Sequence, residues 1–351
     1  MLLAIKTLLG TSFLSFLLGS KDKKFYYIVI LIQFCVYLLI ISLSDIEAYS
    51  DRSQYADWFL TIDNQFGEQH DMVFLIWMKW LSFYFNSEIW YFFMFGLTTL
   101  LILYFTSKDY LSNLQKVAIF FILLIPNKFF LEFSMNSMRA FFLIVVYFGL
   151  MYLILHKSKK YILLLPFLFF IHKGMFLLVT ATLVMAFLAK KIMFMKIKYI
   201  YFIVIGVFLA GVNINVLNVI LGDQIVELMD MYNRSAANNY LNEEETTHNL
   251  MGRIQFFMTF FIPTIFLVFK QKYMNKFDLN MLYYILITSI FIILVAYTVP
   301  HVLRIFSLIM FLNFFLFIKY MNKNNNFEVG YIVAMFVLHS MVYIKGYIGL
   351  I

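Results

Sequence analysis

Residues 20–43 read Ser20-Lys-Asp-Lys-Lys24 and then FYYIVILIQFCVYLLIISL. Three lysines are followed by nineteen uncharged, mostly apolar residues. About 20 apolar residues cross the hydrocarbon layer of a bilayer as a helix. Lysine collects on the cytoplasmic side of such crossings. The apolar run is continuous rather than alternating, which suits a helix and not a barrel strand. The stretch therefore predicts a helix over 25–43 that starts in the cytoplasm and runs outward.

The same grammar extends in both directions. Before it, segment 2–19 carries Lys6 but no small-x-small cleavage pattern, and reads as a retained helix rather than a signal peptide. After it, apolar runs recur at 88–106, 117–133, 139–155, 161–172, 174–189, 198–212, 251–269, 279–299, 302–318 and 329–349. Lysine clusters punctuate them at Lys157/Lys159/Lys160, Lys190/Lys191/Lys196/Lys198, Lys270/Lys272/Lys276 and Lys319/Lys323. Runs 161–172 and 174–189 lie between two such clusters, so they predict two short helices meeting at Ile171-His172-Lys173-Gly174. Segment 71–85, DMVFLIWMKWLSFYF, is apolar, but both of its ends fall outside, and Lys79 sits between Trp77 and Trp80. That pattern predicts an interfacial or re-entrant helix on the outer face.

The expected fold is thus all-α: a polytopic integral membrane protein of about 12 transmembrane helices. Residues 1–351 form one membrane domain, with polar outer loops at 44–87 and 213–250. Composition agrees. The chain is 63% hydrophobic and 13% charged, against roughly 45–50% and 25% in soluble domains. The net charge of +8 is mostly lysine on cytoplasmic loops, so it does not point to nucleic acid. A single cysteine, Cys35, excludes an intrachain disulfide and any CxxC site.

Arginine departs from this pattern. All five arginines, Arg52, Arg139, Arg234, Arg253 and Arg304, fall in the outer loops or at the outer ends of helices. Arginine placed against the topological bias is a forked donor for phosphate or carboxylate. Around it lie Asp51, Tyr55, His70, Asp71 and His172 on the same expected side. Each has a plainer reading. Arg139 could pair with Glu132 and tie two helices together, and Arg304 could cap the preceding helix. Asp51 and Tyr55 could only organise the loop as an Asx-type turn. Asp71, with His70, could cap the next helix, and His172 could be a packing residue. Arg52 and Arg253 could be solvated or bind lipid phosphates. Trp58, Trp77, Trp80 and Trp90 form an interfacial belt or, alternatively, stack on sugars. Neither a DxD motif on the outer face nor a zinc-type ligand spacing occurs, so no metal or other cofactor is expected.

The order of these short motifs resembles the EpsG-type family of polysaccharide polymerases, functional relatives of the Wzy O-antigen polymerases. Asp51-Arg-Ser-Gln-Tyr55 resembles its acid-x-x-x-Tyr element, and His70-Asp71-Met-Val-Phe74 its acid-x-x-Phe element. Met138-Arg139-Ala140 resembles its arginine-led helix start, with Ala where Gln is usual. Lys159-Lys160-Tyr161 through Phe170-Ile171-His172-Lys-Gly174 resembles its basic turn and Phe-His-x-Ser, with Gly for Ser. Arg304 opens a late helix as a family arginine does.

The resemblance implies a glycosyltransferase that joins undecaprenyl-diphosphate-linked repeat units on the outer face of a bacterial cytoplasmic membrane. Arg139, Arg304, Arg253 and Arg52 would then bind the diphosphate. His172, Asp51 or His70 would supply the base, and Tyr55 and Asp71 would organise the loop or the acceptor sugar. Partners implied are the lipid-linked oligosaccharide, membrane lipids, a chain-length regulator and a flippase. The sequence leaves open a lipid-linked oligosaccharide flippase or other transporter, an O-antigen ligase and a membrane acyltransferase. A transporter is expected to show internal symmetry, and no repeat is visible.

Overall fold

The computed structural model describes residues 23–44, 50–61, 72–125, 127, 130–131, 134–135, 138–171, 196–211, 257–296, 302–322 and 327–335. Among them all regular secondary structure is helical. The chain divides into two compact units, 1–179 with 321–351, and 180–320.

In the first unit α1 (Lys23–Leu43) packs on α4 (Glu88–Leu111) and α5 (Leu114–Leu124). α6 (Met138–His156) packs on α4. α1, α4 and α6 are long and apolar enough to cross a membrane. The outward faces of α1 and α4 are apolar too, as Leu31, Leu39, Leu101 and Phe105 show, which is how a helix meets lipid. α1 and α4 approach closely because Gly96 has no side chain. A Cβ there would stand 2.8 Å from Ile41 Cγ2 and 3.1 Å from Leu38 Cδ2. α4 starts where the Ser87 hydroxyl accepts from the Ile89 amide. It ends at Ser112, whose φ of 53° turns the chain so that Asn113 can cap α5 by accepting from the Gln115 amide.

Two short helices lie between α1 and α4. α2 (Ser50–Leu60) occupies the middle of the expected polar loop. Arg52, Tyr55, Ala56 and Phe59 are buried at the i, i+3, i+4, i+7 spacing of one helix face, and buried Trp58 widens that face. α3 (Met72–Ser82) buries Phe74, Leu75, Met78 and Leu81 and exposes Ile76 and Trp80. Its 11 residues span about 16 Å, well short of the roughly 30 Å hydrocarbon layer.

After α6, residues Lys159–Phe170 form a 3₁₀ helix rather than the expected short α-helix. Ser158 caps it by accepting from the Lys160 amide. Three residues per turn line up Leu165, Leu168 and Ile171 on the inner side, and Leu164, Phe167 and Phe170 on the outer. At 2.0 Å per residue these 12 residues extend about 24 Å, where an α-helix would reach about 18 Å. Segments 2–19, 174–189 and 213–250 lie outside the described residues.

The second unit contains α7 (Ile197–Gly211), a π turn (Phe257–Phe261), α8 (Ile262–Lys270), α9 (Lys276–Ala296) and α10 (Val302–Tyr320). α9 packs on both α10 and α7. Pro263 has no amide to donate, and the π turn disturbs the ladder before it. Neighbouring side chains donate to carbonyls of the same turn. The Phe260 carbonyl accepts from Thr264 Oγ1 at 2.6 Å and Asn313 Nδ2 at 3.0 Å, and the Phe261 carbonyl from Tyr201 Oη at 3.3 Å. In lipid, where water cannot satisfy a carbonyl, such side-chain bonds support an irregular turn.

Candidate functional site

The buried face of α2 carries an arginine, and the surrounding helices explain how that is tolerated. Arg52 is fully buried. Its Nη2 donates to the Ser42 carbonyl near the end of α1 at 3.3 Å, and its guanidinium carbon lies 3.8 Å from the centre of the Phe92 ring on α4. A guanidinium is planar and weakly hydrated, so it stacks on a ring at lower cost than an ammonium would. Arg52 thereby fastens α2 to α1 and α4.

One turn along, Tyr55 is 2% exposed. Its ring meets Trp58 edge-on at 5.7 Å and Phe74 of α3 at 5.9 Å. Phe59 stacks on Tyr91 at 5.4 Å, and Trp77 of α3 stacks on Phe142 of α6 at 5.6 Å. α2 and α3 are therefore seated on α4 and α6 by a continuous set of aromatic rings. Arg139 enters from the first turn of α6 and is half-buried. Its Nε donates to Tyr55 Oη at 3.2 Å, and its guanidinium carbon lies 5.5 Å from the Tyr55 ring centre and 4.9 Å from that of Trp58. Two of the five arginines thus converge on one short helix. A guanidinium beside the amides of a helix start is suited to an anion.

The family model for the EpsG family matches residues 27–348. The chain belongs to the EpsG family. Membership makes it a membrane protein of the polysaccharide-polymerase type. No curated protein and no solved structure matches the chain.

In this EpsG-family protein the expected site residues fall into three groups. Arg52, Tyr55 and Arg139 come together around α2. Asp51 lies in the first turn of α2, and Arg304 in the first turn of α10 in the second unit. His70, Asp71, His172 and Arg253 lie outside the described residues, as does Glu132, the expected partner of Arg139. Asp51 and Tyr55, expected in a loop turn, belong to a helix. Tyr55 and Trp58 are packed against protein, whereas Trp80 and Trp90 are about half exposed. Phe92 is a site residue that sequence reasoning missed. It lies in an ordinary apolar run and carries no local mark.

The lysine-bearing helix ends use charge differently. In the second unit Asp278 is fully buried and receives Lys319 Nζ at 2.7 Å and the Tyr320 hydroxyl. Lys270 Nζ donates to the Tyr320 carbonyl at 2.7 Å. In the first unit Asp109 receives Lys157 Nζ at 3.0 Å and Tyr152 Oη at 2.6 Å, with both charged side chains about half exposed. Each set is an Asp–Tyr–Lys clamp that joins two helix ends.

Proposed function

We propose that this protein is a glycosyl-polymerase. It joins undecaprenyl-diphosphate-linked oligosaccharide units on the outer face of a bacterial cytoplasmic membrane, and residues 1–351 act as one membrane domain. The observation that carries this reading is the convergence of Arg52 and Arg139 on α2, in a chain of the EpsG family. In the reaction an acceptor sugar hydroxyl attacks the anomeric carbon of the growing chain. The new carbon–oxygen bond forms as the bond from that carbon to the lipid diphosphate breaks. The diphosphate leaves with the electron pair, and the hydroxyl proton passes to a base.

Arg139, at the start of α6, supplies positive charge to the departing diphosphate. Arg304 and Arg253 are proposed to complete that clamp, with Arg52 behind it. His172, Asp51 and His70 are the candidates for the base, and Asp71 organises the loop that holds His70. The proposed partners are the lipid-linked oligosaccharide, the membrane lipids, a flippase that delivers the units and a chain-length regulator.

Deletion of the gene, complementation with variants and electrophoresis of the surface polysaccharide test the reading. A polymerase defect leaves single-unit product, and Arg139→Lys reproduces it at normal protein level. Complete loss of the glycan would instead assign the protein to a ligase or flippase.

A further inference from the structure

The turn between α8 and α9 carries two lysines that the clamp beside it does not use. Lys270 donates to the Tyr320 carbonyl and Lys319 reaches Asp278, each at 2.7 Å. Lys272 and Lys276 are exposed and form no ion pair among the described residues. Large rings stand exposed among them: Phe269 at 77%, Tyr273 at 81% and Phe277 at 50%. We propose that this turn binds the phosphodiester headgroup of an anionic phospholipid such as phosphatidylglycerol. Lys272 and Lys276 hold the phosphate, and the rings enter the membrane interface around it. The site is independent of the glycosyl-transfer reaction.

The backbone of the turn is fixed by its own bonds. The Met274 amide donates to the Gln271 carbonyl at 3.2 Å and closes the 3₁₀ turn Gln271–Tyr273. The Asn275 amide donates to Tyr320 Oη at 3.2 Å, and Asn275 Oδ1 accepts from the Asp278 amide at 2.8 Å. Asp278, the acid nearest in sequence, is fully buried and already receives Lys319 and Tyr320. The positive charge of Lys272 and Lys276 therefore faces outward. Lysines alone would suit any phosphate; the rings favour a lipid. An exposed phenylalanine or tyrosine gains by leaving water for the interface, and the tyrosine hydroxyl meets headgroups there. Basic side chains interleaved with such rings match an anionic membrane surface. Ile265, one turn before Phe269 on α8, is also exposed and continues the apolar surface away from the lysines, where an acyl chain would run.

The test uses the full chain in detergent micelles, titrated with phosphatidylglycerol or phosphatidylcholine brominated on the acyl chains. Tyr273→Trp places a fluorescent reporter on the turn, and the native chain supplies the background of Trp58, Trp77, Trp80 and Trp90. Phe269→Trp carries the same reporter if Tyr273→Trp does not accumulate. Phosphatidylglycerol is expected to quench the reporter at far lower concentration than phosphatidylcholine. Adding Lys272→Gln and Lys276→Gln should weaken the phosphatidylglycerol titration about 30-fold, at about 1 kcal/mol per lysine, and leave that of phosphatidylcholine unchanged. Lys272→Arg with Lys276→Arg should titrate as the native lysines do. Lys159→Gln with Lys160→Gln, an exposed pair in the first unit, should leave the reporter unaffected. Equal quenching by the two lipids would overturn the proposal. So would an equal loss from the Lys159 and Lys160 changes, which would reduce the effect to net charge. Displacement of the lipid by glycerol 3-phosphate would assign the lysines to a soluble phosphate and likewise overturn it.

Discussion

The arginine cluster on α2 and the Asp–Tyr–Lys clamps use similar side chains to opposite ends. In each clamp a lysine reaches a carboxylate that a tyrosine hydroxyl also binds. The lysine charge is neutralised where it stands, and two helix ends are joined. Around α2 the guanidinium groups rest on the faces of Phe92, Tyr55 and Trp58 and donate to a carbonyl and a hydroxyl. A ring face orients a cation through its quadrupole. The clamps thus join helix ends through a carboxylate, whereas the α2 cluster joins helices through guanidinium groups whose direction the rings set.

The sharpest way to break this contrast is Arg139→Lys. If direction matters, charge alone will not rescue function. The transition state should lose on the order of 2–4 kcal/mol, as for loss of an oxyanion donor, with normal protein level. Long polysaccharide chains from this variant would reduce Arg139 to a structural tie. Asp278→Asn probes the other side. It leaves Lys319 facing a neutral group at a buried site and should cost on the order of 3 kcal/mol of stability. Thermal unfolding in detergent reads that loss, while the protein that remains folded should still make chains of native length. Shortened chains from intact Asp278→Asn protein would erase the distinction between fastening and function.

Gly96→Ala sharpens the comparison from the packing side. The new methyl group would meet Ile41 Cγ2 at 2.8 Å and push α1 from α4, the two helices that hold Arg52 through Ser42 and Phe92. A loss of about 1–3 kcal/mol of stability is expected. Gly149→Ala is the control, because its Cβ would stand 3.6 Å from both Ile102 Cγ2 and Thr106 Oγ1. Ordinary contact and better helix propensity should leave it neutral or up to about 1 kcal/mol more stable. The smallest effect belongs to Asp109→Asn. Its clamp matches that of Asp278 in composition, but both charged partners are about half exposed. Solvent screening should hold the cost below about 1 kcal/mol. A loss equal to that of Asp278→Asn would show that burial is not what separates the two clamps.

The sequence by itself determined the long helices. Their apolar runs and lysine-marked ends are local properties, because hydrophobic length and charge act residue by residue. It also showed that 71–85 is unlike the other runs, and the structure gives that segment a helix too short to cross. α2 was legible only in part. The 52/55/56/59 spacing is present in the sequence, but an arginine on the buried face disguises it. The 3₁₀ course of Lys159–Phe170 was not legible, since an almost wholly apolar run reads alike at 3.0 and 3.6 residues per turn. Tertiary structure alone decided which arginine meets which ring. Tyr55 and Arg139 are 84 residues apart, and Arg52 reaches Phe92 only because α2 folds back between α1 and α4. Such contacts arise from the packing of whole helices, and no local pattern of residues encodes them.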